Sequence, residues 1–177
     1  MSTTETILSG AVQPLTQLTE DEQMLRDATA EFAQQEITPR ILEMDEKAAL
    51  DPDLVKSFFE MGLMGIEIPE EMGGAGGTFF MSIVAIEQIS KVDASVGVFM
   101  DVQNTLVNNA FLRYGSKELQ ESYLPRLASE AVGAYCLSET SSGSDAFALK
   151  STAVKEGNGY RLNGAKLWIT NANEADI

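Results

Sequence analysis

Residues 131–145 read Ala131-Val132-Gly133-Ala134-Tyr135-Cys136-Leu137-Ser138-Glu139-Thr140-Ser141-Ser142-Gly143-Ser144-Asp145, and the grammar of the chain changes here. Upstream, apolar residues recur at the spacing of a helix; from this stretch onward they alternate or sit in short runs bounded by turn residues, as strands do. A boundary therefore belongs near residue 130. The expected fold class is α+β, with an all-helical unit over residues 19–130 followed by the first strands of an antiparallel β unit over residues 131–177. Residues 1–18 are polar and aperiodic and read as a flexible lead-in.

Working back from the boundary, Thr19-Glu20-Asp21-Glu22 has the form of a capping box. Met24, Leu25, Ala28, Phe32 and Ile37 follow at helical spacing, and Pro39 is expected to end that helix because the residue before proline avoids the helical region. Asp51-Pro52 couples an oxygen cap to a proline at the first helical position, which predicts a helix to about Met61 with Gly62 as its stop. Residues 63–77 hold Pro69 and the cluster Gly73-Gly74-Ala75-Gly76-Gly77 and read as a loop. The helical pattern resumes over residues 78–89 and 93–113, leaves at Tyr114-Gly115, and restarts from a Ser116 cap over residues 117–127.

Working forward, residues 132–137, 148–154, 160–162 and 167–170 read as strands. Gly157-Asn158-Gly159 and Asn163-Gly164 supply the turns, the second a hairpin signal because both residues tolerate positive φ. Four short strands leave an open edge, so the sheet reads as unfinished and the chain as the front part of a longer one.

Composition removes several function classes. The 12 Lys and Arg stand against 27 Asp and Glu, giving a net charge of −15 spread along the chain. That balance argues against nucleic acid and anionic lipid as partners. Cys136 is the only cysteine and histidine is absent, so an internal disulfide, zinc hydrolysis and Ser-His-Asp chemistry are excluded and no metal site is expected. No apolar run is long enough to span a bilayer, and the first twenty residues resemble neither a signal nor a transit peptide. The cytoplasm is the expected compartment and no membrane partner is expected.

Two segments can carry chemistry. From Tyr135 to Asp145 a strand opens into small hydroxyl residues and glycine, where successive N–H groups can form a nest for an anion and glycine lets a diphosphate come close. Taken alone, this reads first as an ordinary Ser/Gly loop. Trp168-Ile169-Thr170-Asn171 is the second segment; an indole and a hydroxyl two residues apart on a strand share a side and could flank one planar heterocycle. Taken alone, it reads first as a core tryptophan beside a strand threonine.

Taken together, in content, order and spacing, these segments resemble the two flavin-binding signatures of the acyl-CoA dehydrogenase family. The resemblance extends to Leu63-Met64-Gly65-Ile66 with the glycine cluster behind it, to Val92-Asp93-Ala94-Ser95, and to Asn163-Gly164-Ala165-Lys166. It covers nearly the whole chain after about residue 19. Gln103-Asn104-Thr105-Leu106 and residues 145–150 look most like the short/branched-chain members. What the resemblance implies is an FAD-dependent oxidoreductase that introduces an α,β double bond into short or branched-chain acyl-CoA thioesters. It would pass electrons to an electron-transferring flavoprotein and, at full length, form a homo-oligomer.

Carried over by position, Leu137 and Ser138 would contact the isoalloxazine ring with Tyr135 shaping the same pocket. Gly143 and Ser144 would lie by the FAD diphosphate, and Ser144 would also face the CoA moiety. Trp168, Ile169 and Thr170 would line the flavin, with Thr170 placed near N5. Phe99, Met100 and Gln103 form the candidate wall for the acyl tail, although Met and Phe at such spacing also suit plain core. The family's catalytic glutamate is expected beyond Ile177, so no catalytic residue is assigned in this chain. Glu139 is read as holding the loop, Asp145 as stabilising a turn and Cys136 as core. One departure stands out: the family has a second glycine where this chain has Ser141, after Thr140 in place of proline or alanine, and a positive φ there would strain a serine. Two other readings remain open: a flavin oxidase or monooxygenase of the same fold, and a non-catalytic helical interaction module.

Overall fold

The computed structural model describes residue 14 and residues 17–177, so most of the expected lead-in over residues 1–18 lies outside it. Helix α1, Glu20–Phe32, starts at the capping box: Thr19 Oγ1 accepts from the Glu22 N–H at 3.3 Å, and the Glu22 carboxylate accepts from the Thr19 N–H at 2.8 Å. Pro39 does not end the helical path. The chain widens into a π-helical turn, Ala33–Ile37, tightens into a 3₁₀ turn, Thr38–Arg40, and continues as α2, Ile41–Lys47. Proline sits near the start of that 3₁₀ turn, where its missing N–H leaves no bond broken.

Helix α3, Pro52–Glu60, is capped by Asp51 onto the Asp53 N–H at 2.9 Å and stopped by Gly62, whose φ is 75°. Thr78 caps α4, Phe79–Val92. Asp93 caps α5, Ala94–Asp101, accepting from the N–H groups of Ser95 and Val96 at 2.8 and 3.0 Å. The single helix expected over residues 93–113 is interrupted by a π-helical segment, Val102–Asn108, before α6, Asn109–Tyr114. Ser116 then caps α7, Lys117–Ser129.

The segment between α3 and α4 doubles back on itself. Ala75 donates to Gly65 O, Gly76 to Ile68 O and Gly77 to Ile66 O at 2.7–3.0 Å. Gly74 presses so closely on Ile68 that a β-carbon would collide with the Ile68 carbonyl oxygen. Carboxamides of the π segment hold this loop from below. Asn104 Oδ1 accepts from the Ile66 N–H at 3.1 Å, Asn104 Nδ2 donates to Leu63 O at 2.8 Å, and Asn108 Nδ2 donates to Met64 O at 2.8 Å. The larger apolar core gathers Ile37, Leu54, Phe58, Leu63, Ile89, Phe99 and Met100; a second cluster joins Leu124 and Leu127 of α7 to Ile68 and Val107.

Beyond α7 the α+β reading holds, but much of the expected sheet is absent from the described residues. The one ladder is an antiparallel pair, β1, Thr152–Glu156, with β2, Gly159–Asn163, turning at Gly157-Asn158 with Glu156 opposite Gly159. Residues 132–137 are extended without a ladder: Val132 O accepts from the N–H groups of Asp176 and Ile177, and Ala134 N–H donates to Ile177 O. Residues 146–148 form a 3₁₀ turn, not a strand start. Asn163-Gly164 opens no hairpin and residues 167–170 form no strand. The Leu167 N–H is taken instead by Ser138 O at 2.9 Å, and the chain turns at once with positive φ at Trp168 (58°) and Asn171 (67°).

Candidate functional site

That Leu167–Ser138 bond brings the two chemistry-bearing segments side by side. Between them lies an open concavity of about 220 Å³, lined by Tyr135, Leu137, Ser138, Trp168, Ile169 and Thr170, with Val102 and Leu106 of the π segment closing its helical side. Six of the eight residues expected at the flavin thus meet on one surface. Gly143 and Ser144 do not line it; both are exposed on the neighbouring loop, and the space beside Gly143 is open. Neither Val102 nor Leu106 was assigned to the site from the sequence, although they stand four residues apart on one expected helix.

Trp168 is not the core residue that its type allows. It is 92% exposed, held outward by a left-handed backbone that a bulky side chain rarely adopts. Tyr135 and Leu137 are also exposed, at 40% and 39%. A strained turn presenting an indole beside other uncovered apolar side chains is the pattern of a surface shaped for a flat ligand. Thr170 lines the concavity through this turn, not through strand alternation. Cys136, expected in the core, is exposed because the unladdered segment carrying it has no covering layer.

The acyl-wall expectation fares differently along α5 and the π segment. Met100 is fully buried in the core. Gln103, also fully buried, is spent on main chain: Nε2 donates to Leu127 O and Ala131 O at 3.0 and 3.1 Å, and Oε1 accepts from the Gly133 N–H at 2.7 Å. Neither has surface left for a ligand here. Phe99 is 2% exposed and lines a separate opening of about 350 Å³ with Thr170, Asn171 and Asp93.

Glu139 holds the loop, as expected. Its buried carboxylate accepts from Lys166 Nζ at 2.7 Å and from the N–H groups of Lys150 and Ser151 at 2.6 and 3.1 Å. Lys166 also donates to Leu137 O at 3.0 Å, so the pair pins the Tyr135–Ser138 segment. The Lys166 ammonium, then Ser151 and the Lys150 N–H, draw the Glu139 carboxyl from its ordinary 4.5 down to about 2. A carboxyl lowered on folding stabilises the fold fully above the ordinary value, and that contribution fades as pH falls toward about 2. Glu139→Gln should therefore lower the melting temperature at neutral pH, and the gap to the parent protein should close between pH 4.5 and 2. A gap that stays constant over that window would refute this role. Asp145 accepts from the Phe147 N–H at 3.2 Å, the turn role expected for it. Ser141 lies outside the left-handed region, so the departure from glycine brings no φ strain.

The family profile for the acyl-CoA dehydrogenase N-terminal domain matches residues 19–131, and that for the acyl-CoA dehydrogenase middle domain matches residues 134–177. The chain belongs to the acyl-CoA dehydrogenase family. It is 50% identical over 167 residues to a probable short/branched chain specific acyl-CoA dehydrogenase of Dictyostelium discoideum, covering 94% of this chain and 40% of that protein. Among solved structures, a glutaryl-CoA dehydrogenase from Mycobacterium smegmatis in complex with FADH2 superposes with a TM-score of 0.84 at 32% identity, over 90% of this chain and 41% of that one. A chain from the structure of the electron transferring flavoprotein of Acidaminococcus fermentans gives 0.86 at 40% identity, over 90% and 42%. The chain thus spans about 40% of the length of the relatives it matches. Among the described residues no helix is long and apolar enough to cross a membrane, and no cluster of His, Cys, Asp and Glu is placed to hold a metal.

Proposed function

We propose that the concavity between Ser138 and Trp168 is one wall of an FAD site, in a protein that dehydrogenates short or branched-chain acyl-CoA thioesters. The observation that carries this reading is the convergence of the two segments on one surface, joined by the Leu167–Ser138 hydrogen bond. Its residues suit the ring system: an exposed indole to cover a flat face, the hydroxyls of Ser138 and Thr170 to bond its polar edge, and apolar Tyr135, Leu137 and Ile169 around them. A bound flavin supplies the hydride acceptor for the β-hydrogen of the thioester. This chain's own part is to bind and orient. Thr170 would donate toward the accepting edge, Leu137 and Ser138 would fix the ring plane, and Val102 and Leu106 would keep water from the acyl side. No carboxylate lines the concavity, so the proton-abstracting role is given to none of the described residues. Gly143 and Ser144, exposed beside the wall, are proposed to meet the diphosphate, and Ser144 the CoA. The short/branched-chain preference rests on the Dictyostelium relative, and electron transfer to an electron-transferring flavoprotein on the Acidaminococcus structure.

Titrating the chain with FAD, read by the visible flavin absorbance and by quenching of Trp168, tests the reading. Binding is expected to be weak, and Trp168→Ala should weaken it by about threefold to tenfold, since an aromatic stacking pair contributes about 0.5–1.5 kcal/mol. Absence of flavin binding, or equal affinity of the variant, would overturn it.

A further inference from the structure

Resting on the reading of the wall as a flavin site, we infer that Asn171 is a positioning residue for it, acting with Gln103 through the backbone N–H and C=O of one residue, Gly133. Gly133 is buried where the flavin-side segment leaves α7 and crosses the π segment, and a β-carbon there would collide with Val107. Its N–H donates to Gln103 Oε1 at 2.7 Å, and its carbonyl accepts from Asn171 Nδ2 at 3.1 Å. Asn171 Nδ2 donates its other hydrogen to Phe99 O at 3.1 Å, on α5. One carboxamide therefore joins three pieces of chain: the helix, the root of the Tyr135–Ser138 segment, and the turn that presents Trp168 and Thr170.

Neither half of the wall has a ladder to set its place. The extended segment has no strand beside it, and the turn is short with two left-handed residues. The Leu167–Ser138 and Lys166–Leu137 bonds tie the two halves at one end and the Asn171–Gly133 bond ties them at the other, with Val132 and Ala134 bonded to Asp176 and Ile177 beyond it. Asn171 is 7% exposed and sits at φ 67°, a conformation asparagine tolerates. It touches no part of the concavity itself, so its effect on a ligand passes through Trp168 and Thr170.

The chain's single tryptophan stands in the wall and reports on it without any ligand. Asn171→Gly keeps the backbone conformation and removes the donor; Asn171→Asp keeps the size and replaces the donor by an acceptor facing two carbonyls. Both variants should lower the fluorescence anisotropy of Trp168 in the flavin-free protein while helix content is retained. Both should weaken FAD binding by about tenfold, as expected for the loss of one buried bond that orders the site. Ile37→Val, which trims the core without touching these bonds, should leave the Trp168 anisotropy unchanged. Unchanged anisotropy in both Asn171 variants would overturn the inference, as would equal loss in Ile37→Val. If the parent protein binds no FAD, the flavin reading falls, while the anisotropy still decides whether Asn171 orders the wall.

Discussion

Replacing Phe58 by alanine is expected to destabilise the protein by about 3–5 kcal/mol, the largest single effect foreseen here. Phe58 is fully buried and stands between two other rings, meeting Phe32 edge-on at 5.1 Å and Phe99 edge-on at 6.0 Å. It thereby couples α1, α3 and α5 at one point. Truncation leaves a cavity that three helices border and none can fill alone, and two aromatic contacts vanish with the ring. A domain's whole stability is roughly 5–15 kcal/mol, so the variant should lie near the edge of folding. The adjacent Phe59 is half-buried, and Phe59→Ala should cost clearly less. Urea unfolding of both variants checks this; a Phe58 loss no larger than that of Phe59 would show that the aromatic junction does not organise the core.

Asn104→Leu should be the second most damaging change, although leucine nearly matches the size and would be fully buried. The carboxamide accepts from the Ile66 N–H and donates to Leu63 O and to Met100 O at 3.1, 2.8 and 3.1 Å. Leucine would strand the first two groups inside the protein, each at a cost of about 1–3 kcal/mol. The apolar gain of the new side chain offsets only part of this. Beyond a lower unfolding midpoint, the amides of residues 63–68 should lose hydrogen-exchange protection ahead of the helices. Retained protection in that loop, with only a global shift, would mean that the backbone finds other partners.

The helical half was largely legible because its signals are local. Thr19, Asp51, Thr78, Asp93 and Ser116 each carry a cap whose chemistry needs only the next few residues. The π turns were not legible. A register change at Val102–Asn108 is dictated by where Gln103, Asn104 and Asn108 find carbonyls and N–H groups on distant segments, which no helical period reveals. The strand expectations over residues 148–154 and 160–162 meet β1 and β2, but those over 132–137 and 167–170 fail for a related reason. Apolar alternation over residues 132–137 and 167–170 marks an extended or partly covered chain, but pairing depends on what lies alongside, and Leu167 pairs with Ser138 in place of β2. Six of the residues named by family resemblance lie together around one concavity. Gln103 and Met100 are buried in the structure, since helical spacing alone does not say which face of the helix meets the core. Asn171 was read only as the end of the Trp168–Asn171 segment, and neither it nor Gly133 signalled the bond between them.

The hairpin of β1 and β2 is exposed at every position on both faces and forms its ladder only with itself. Its survival is therefore decided separately from that of the helices, since a lone two-stranded ribbon is marginal in water. Heat should melt this arm first and leave the helical scaffold standing. Helix-sensitive and hairpin-sensitive probes would then follow different curves, and no single transition temperature would describe the molecule.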